Sequence, residues 1–111
     1  MLKRQFLNKL VRDRIPEIIE QAGSRYEIEV MPDADYRVAL RQKVIEEAQE
    51  VAIATSLDEL IKELADLQEV IDALYLVEGI ERSNVAQVQK KRREQRGGFS
   101  RRFRLIWSEI C

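Results

Sequence analysis

Two long helical segments joined by a short break constrain the fold of this sequence more than any other feature. Pro32 opens the first segment, which is expected to run to about Ala54. Ser56 is placed to cap the second segment, and Glu59 three residues later completes a capping box. Gly79 is placed to end it. Because the connection is so short, the two segments are expected to pack as an antiparallel helical hairpin.

The segments on either side of the hairpin are shorter or more basic. A short helix is expected over residues 14–22, and a third long helix, capped by Ser83, is expected to end near Arg96. Apolar and polar residues alternate over 26–31 and 101–107, a pattern typical of strands. The predicted fold class is therefore all-α: a helical bundle around the hairpin, with room for a small two-stranded β-sheet formed by those two segments.

Composition narrows the fold and the chemistry. A length of 111 residues fits a single domain over residues 1–111, and the scarcity of Gly (4) and Pro (2) favours helices. The chain contains no His, which excludes His-based acid–base catalysis and His-ligated zinc. Any bound metal would be held by carboxylates and would be a hard cation, Mg²⁺ or alternatively Mn²⁺.

Cysteine content and hydropathy bear on location. The single Cys111 permits no intramolecular disulfide, which fits a reducing cytoplasm. The start of the chain is not followed by an apolar signal core, and the sequence contains no apolar run of 18 residues. We therefore expect a cytoplasmic protein with no membrane partner.

Each long helix is expected to present a pair of carboxylates at the same angle from its apolar stripe. With Val44 as the origin, at about 100° per residue, Glu47 lies near 300° and Glu50 near 240°. Glu63 and Asp66 have the same offsets on the second helix. Paired across a hairpin, the four would repel one another unless a divalent cation bound them. Because the chain has 20 acidic residues, a solvated acidic face is the commoner outcome on spacing alone.

A resemblance to a known family strengthens the metal-site hypothesis. Residues 46–50 read Glu-Glu-Ala-Gln-Glu and, after twelve residues, 63–66 read Glu-Leu-Ala-Asp. This pattern resembles the EExxE…ExxD signature of the MazG-like all-α NTP pyrophosphatase superfamily. Residues 8–16 and 91–99 resemble the opening and closing segments of a phosphoribosyl-ATP pyrophosphohydrolase-like subgroup, so the resemblance covers most of the chain.

The resemblance implies a reaction and roles for the acidic residues. It implies hydrolysis of a nucleoside triphosphate between the α and β phosphates, giving a monophosphate and pyrophosphate. The implied metal ligands are Glu47, Glu50, Glu63 and Asp66, with Mg²⁺ as the cofactor. Glu46 or Glu50 is the candidate that orients or deprotonates the attacking water.

Basic residues near both ends of the chain complement this picture. Carboxylates repel a triphosphate, so cations are needed on the far side of the phosphates, and the Arg fork matches phosphate oxygens. The candidate phosphate-binding residues are Lys9, Arg12, Lys91, Arg92 and Arg96.

Exposed apolar and basic surfaces suggest which partners the protein has and what its alternative function would be. Three long helices in so short a chain are expected to expose apolar residues such as Ile45, Val70 and Val77, which favours a homodimer with a four-helix core. The superfamily resemblance points the same way. The alternative is a non-catalytic helical dimerisation or nucleic-acid-binding module that uses the basic segment 90–104. We favour the enzyme, with a nucleotide rather than nucleic acid as the partner.

Overall fold

The computed structural model describes residues 3–109, and all the regular secondary structure in that range is helical. The chain divides into two compact units, Met1–Gly79 and Ile80–Cys111, here called the N-terminal and C-terminal units. The prediction of a single domain stays a prediction. The four helices are α1 (Ile15–Gln21), α2 (Asp33–Ile53), α3 (Leu57–Glu78) and α4 (Arg82–Arg96).

The predicted hairpin is confirmed as α2 and α3, and its connection is built as the capping signals suggest. Ser56 is the N-cap of α3, and its hydroxyl accepts a hydrogen bond from the Glu59 N–H at 3.1 Å. The Glu59 carboxylate reaches back one residue further than expected, to the N–H of Thr55 at 3.0 Å. Gly79 ends α3 in the left-handed conformation, with φ of 66°.

Ion pairs fix the far end of the hairpin. Arg37, in the first turns of α2, donates to Glu78 at the end of α3 at 2.9 Å, and Arg41 lies 3.8 Å from the same carboxylate. Arg37 also pairs with Asp33 at 3.0 Å. Since the start of α2 meets the end of α3, the two helices are antiparallel.

The seam between α2 and α3 differs by a small rotation from the predicted apolar stripes. Leu40 is the one apolar residue in 3–109 that is fully buried, at 3% exposure. Helical spacing predicts Ala48 on the apolar stripe of Val44 and Leu64 on that of Leu60. Both are exposed, because the positions that face the partner helix continue from Val44 to Glu47 and from Leu60 to Glu63. Half-buried seam residues are Val44, Glu47, Val51, Leu60, Glu63, Leu67, Ile71 and Leu74.

The segment before α2 is extended but is not a strand. Pro32 restricts the residue before it to extended backbone, which fits the alternation of this segment. However, Tyr26, Ile28 and Val30 are all exposed, and no β-ladder forms anywhere in residues 3–109. The expected sheet between 26–31 and 101–107 was therefore wrong. Alternation alone supplies no second edge for hydrogen bonding, and an isolated pair of strands is only marginally stable.

In the C-terminal unit, α4 begins two residues before the position expected from a cap at Ser83. Glu81 is the N-cap, and Ser83 lies inside the first turn, where its hydroxyl donates to the Glu81 carboxylate at 3.5 Å. Gly97 ends the helix with φ of 81°, as predicted. Beyond it, the Arg101 guanidinium lies 4.6 Å above the Phe103 ring.

Of the two features that bear on location, cysteine content and hydropathy, the structure describes only the second, because Cys111 lies outside the described residues. None of the helices within residues 3–109 combines the length and the hydropathy that a membrane span needs.

Replacing Ser56 with Ala should lower the free energy of unfolding by about 1 kcal/mol, because the Glu59 N–H loses its acceptor. Chemical denaturation at neutral pH measures this. Ser24→Ala is the matched control, since Ser24 is exposed and only its backbone N–H is bonded, to Ile19. Equal stability of both variants would show that the cap does not stabilise the hairpin.

Candidate active site

Three carboxylates meet in the seam of the hairpin. Glu47 comes from α2, and Glu63 and Asp66 come from successive turns of α3. One oxygen from each lies within 4.8 Å of the others, and we call this group the carboxylate cluster. The side chains of Glu47 and Glu63 are each 14% exposed, and that of Asp66 is 31% exposed. The cluster is therefore half-buried, and Asp66 is its most exposed member.

The pKa of Glu47 reflects this half-buried, acidic environment. Burial is the main effect, and it raises the pKa of the Glu47 carboxyl above its ordinary value of 4.5. The ammonium of Lys43 opposes the rise, whereas the charges of Asp66, Glu63 and Glu46 add to it. The net direction is upward, so the ionised cluster is electrostatically costly at neutral pH.

The donor set of the carboxylate cluster fits a hard divalent cation. Every group in it is a carboxylate, the ligand that Mg²⁺ and Mn²⁺ prefer, and three oxygens within 4.8 Å of one another can converge on one ion. A cation would also offset the burial and the smaller repulsion that together raise the Glu47 pKa. Glu47, Glu63 and Asp66 are therefore the residues that could hold it.

Glu50, the fourth predicted ligand, lies beside the cluster rather than in it. It lines a pocket of about 220 Å³ at the hairpin connection, together with Glu63 and Glu59. Glu63 therefore belongs both to the carboxylate cluster and to this pocket. The structure thus brings Glu50 next to the cluster, as the predicted spacing requires, but with its side chain exposed.

The N-terminal segment places two of the predicted phosphate-binding cations beside these acids. The Arg12 guanidinium donates to Asp66 at 3.0 Å, across 54 residues of sequence. The Lys9 ammonium lies 4.0 Å from Glu46. Both cations are about half exposed, so each can exchange its carboxylate partner for a ligand.

Sequence analysis missed one cation of the site, Lys43. Its ammonium lies 3.4 Å from Glu46 and 3.8 Å from Glu47, and its side chain is only 18% exposed. The signal was present, because Lys43 precedes these glutamates by three and four residues on one helix. The cations predicted from the sequence all lie near the ends of the chain, whereas Lys43 lies within α2.

The remaining predicted phosphate-binding residues belong to the C-terminal unit. Lys91, Arg92 and Arg96 are on α4 in the C-terminal unit, and each is exposed. Their predicted role stays a prediction.

A half-buried carboxylate cluster in a helical hairpin, flanked by exposed cations, defines a protein with a candidate site for a cation and an anionic ligand. The family model for phosphoribosyl-ATP pyrophosphohydrolase matches residues 7–93, and the chain belongs to that family. No curated protein and no solved structure matches the chain. The family acts as a pyrophosphohydrolase, so the protein is an enzyme, a hydrolase of phosphoric anhydrides, rather than a non-catalytic module.

Replacing Glu47 with Gln should stabilise the cation-free protein at pH 7. The folded state binds the Glu47 proton more tightly than the unfolded state, so its ionisation destabilises the fold above the raised pKa. This penalty disappears as the pH falls below 4.5, and the difference between variant and parent should vanish with it.

Denaturation in EDTA at pH 7 and near pH 4 checks this, with the exposed Glu69→Gln on α3 as the control. A Glu47→Gln variant less stable than the parent at pH 7 would mean that attraction to Lys43 outweighs burial.

Proposed function

We propose that this protein is a divalent-cation-dependent nucleoside triphosphate pyrophosphohydrolase that cleaves between the α and β phosphates to release a monophosphate and pyrophosphate. The observation that carries the proposal is the carboxylate cluster with cations placed directly against it. Family membership supports the reaction type. Clearance of surplus or non-standard nucleotides would be a suitable role for such an activity.

The carboxylate cluster would hold the cation, Mg²⁺ or alternatively Mn²⁺. The cation would offset negative charge on the phosphate oxygens during phosphoryl transfer. Glu47 and Glu63, which are the least exposed members, would fix its position, and Asp66 would complete the set once Arg12 moves away.

The cations of the N-terminal segment would then bind the phosphates. Arg12 and Lys9 are held beside the acids by exposed ion pairs, which are individually weak. A triphosphate offers the Arg12 guanidinium a charge-matched partner that can accept two hydrogen bonds in place of Asp66. Binding of the substrate therefore lets each charged group keep a partner.

Glu50 is the better candidate for the general base. Glu46 already pairs with Lys43 and Lys9, at 3.4 Å and 4.0 Å. Glu50 makes no ion pair within residues 3–109 and lies in a pocket with Glu63. Its carboxylate would accept the proton of a water molecule as that water adds to phosphorus and pyrophosphate leaves.

We also propose that the chain forms a homodimer through the outer faces of α2 and α3. Ile45 is 61% exposed, and Ala48 and Ala52, which follow it by three and seven residues on α2, are exposed as well. Ile61 and Leu64 form a comparable exposed pair on α3. Burial of these faces against a second hairpin would give a four-helix core. Ile45 is exposed, as predicted, but Val70 and Val77, which were predicted to be exposed as well, are half-buried within one chain.

Incubation with a panel of nucleoside triphosphates and Mg²⁺ should release pyrophosphate, detected as phosphate only after inorganic pyrophosphatase is added. Glu50→Gln should slow the release at least about 100-fold, the usual contribution of a general base. Glu69→Gln should not change it, since Glu69 lies on the exposed face of α3. Release of phosphate without added pyrophosphatase would indicate cleavage at the γ phosphate and contradict the proposal.

Mg²⁺ should raise the thermal stability of the parent, by about 2.7 kcal/mol at 100 times its dissociation constant, because it binds only the folded state. Asp66→Asn should remove most of this shift, since one of three ligands is lost. Glu69→Gln should retain it. Thermal melts with EDTA and with Mg²⁺ measure the effect, and an unshifted parent would count against cation dependence.

A further inference from the structure

A groove of about 340 Å³ lies along α2 and has no role in the function described so far. Its residues on α2, from Asp35 to Glu46, recur at the spacing of one helical face. The rest of its lining comes from residues 8–10 and from Glu29 and Met31, in the extended stretch before α2. The volume falls within the roughly 300–1,000 Å³ that is usual for small-molecule sites.

One end of this groove adjoins the carboxylate cluster. Lys43, Lys9 and Glu46 all line the groove, and Lys43 also lies 3.8 Å from Glu47 of the cluster. The two lysines are donors suited to phosphate oxygens. A nucleotide with its phosphates at this end would therefore have its sugar and base further along α2.

The other end of the groove offers hydrogen-bond acceptors. Asp35 precedes Glu46 by eleven residues, which is about 16 Å along a helix that rises 1.5 Å per residue. Glu29 lines the groove as well, and neither Asp35 nor Glu29 forms an ion pair within residues 3–109. Ionised carboxylates can only accept hydrogen bonds, so this end favours a ligand edge that donates them.

We infer that the groove binds the nucleoside part of the substrate and that Asp35 selects bases whose amino group is at position 6 of a purine or position 4 of a pyrimidine, namely adenine and cytosine. An amino group donates to the carboxylate, whereas the oxygen at the same position of hypoxanthine or uracil would face it without a proton. Val38 and Ala39, on the same helical face, offer apolar contact to the plane of the base. This inference rests on the proposed function, whose substrate class it narrows.

Matched nucleotide pairs test the selection by Asp35. For the parent, kcat/KM should be higher for ATP than for ITP and for CTP than for UTP. In Asp35→Asn the amide can donate as well as accept, so both ratios should fall about tenfold. Asp33→Asn is the control: it removes the same charge from the same turn of α2, but Asp33 does not line the groove and pairs with Arg37 instead.

Binding of the monophosphates separates this inference from the proposed hydrolysis. Calorimetry with Mg²⁺ should show CMP binding more tightly than UMP, and Asp35→Asn should reduce the difference while circular dichroism shows an unchanged helix content. Equal binding of CMP and UMP by the parent, or ratios unchanged in Asp35→Asn, would overturn the base selection. Selective binding without pyrophosphate release from any nucleotide would instead overturn the proposed function and leave the groove assignment standing.

Discussion

Repulsion among the carboxylates of Glu47, Glu63 and Asp66 is the constraint on which the arrangement of the N-terminal unit depends. These groups lie in the seam of a hairpin, where a protein would ordinarily place leucines, and burial raises the pKa of Glu47. Cationic side chains reduce the cost from two directions: Arg12 approaches from the N-terminal segment, and Lys43 approaches from within α2. The hairpin therefore places negative charge where apolar packing would have been more stable.

Much of the fold could be predicted because its signals are local. The ends of α2 and α3 follow from Pro32, from the cap at Ser56 and from the left-handed Gly79, each of which acts within one turn of helix. The two-stranded sheet was wrong because pairing depends on a partner far away in sequence, which alternation does not specify. Ser83 was misassigned for a smaller reason, since a serine in the first turn can bond to a neighbouring side chain as well as cap the helix.

In the candidate site, too, the contacts set by local helical spacing could be predicted and those between distant segments could not. The carboxylates of α2 and α3 could be placed together from helical spacing, because the hairpin connection fixes which faces meet. The contact between Arg12 and Asp66 could not, since nothing local indicates that a segment 54 residues away crosses the cluster. Likewise, the small rotation that exposes Leu64 and turns Glu63 inward results from the packing of whole helices rather than from either sequence alone.

The ion pairs of Lys9 and Arg12 also bear on how the proposed ligands would bind. With nothing bound, these cations neutralise part of the acidic charge at Glu46 and Asp66. In the proposed function, a divalent cation would compete with Arg12 for Asp66, and a triphosphate would bring the negative charge that Arg12 would then need. If only the cation bound, Arg12 would lose its carboxylate partner. If only the triphosphate bound, Asp66 would lose its cationic partner. The electrostatics therefore favour binding of the cation and the nucleotide together, as a complex of low net charge.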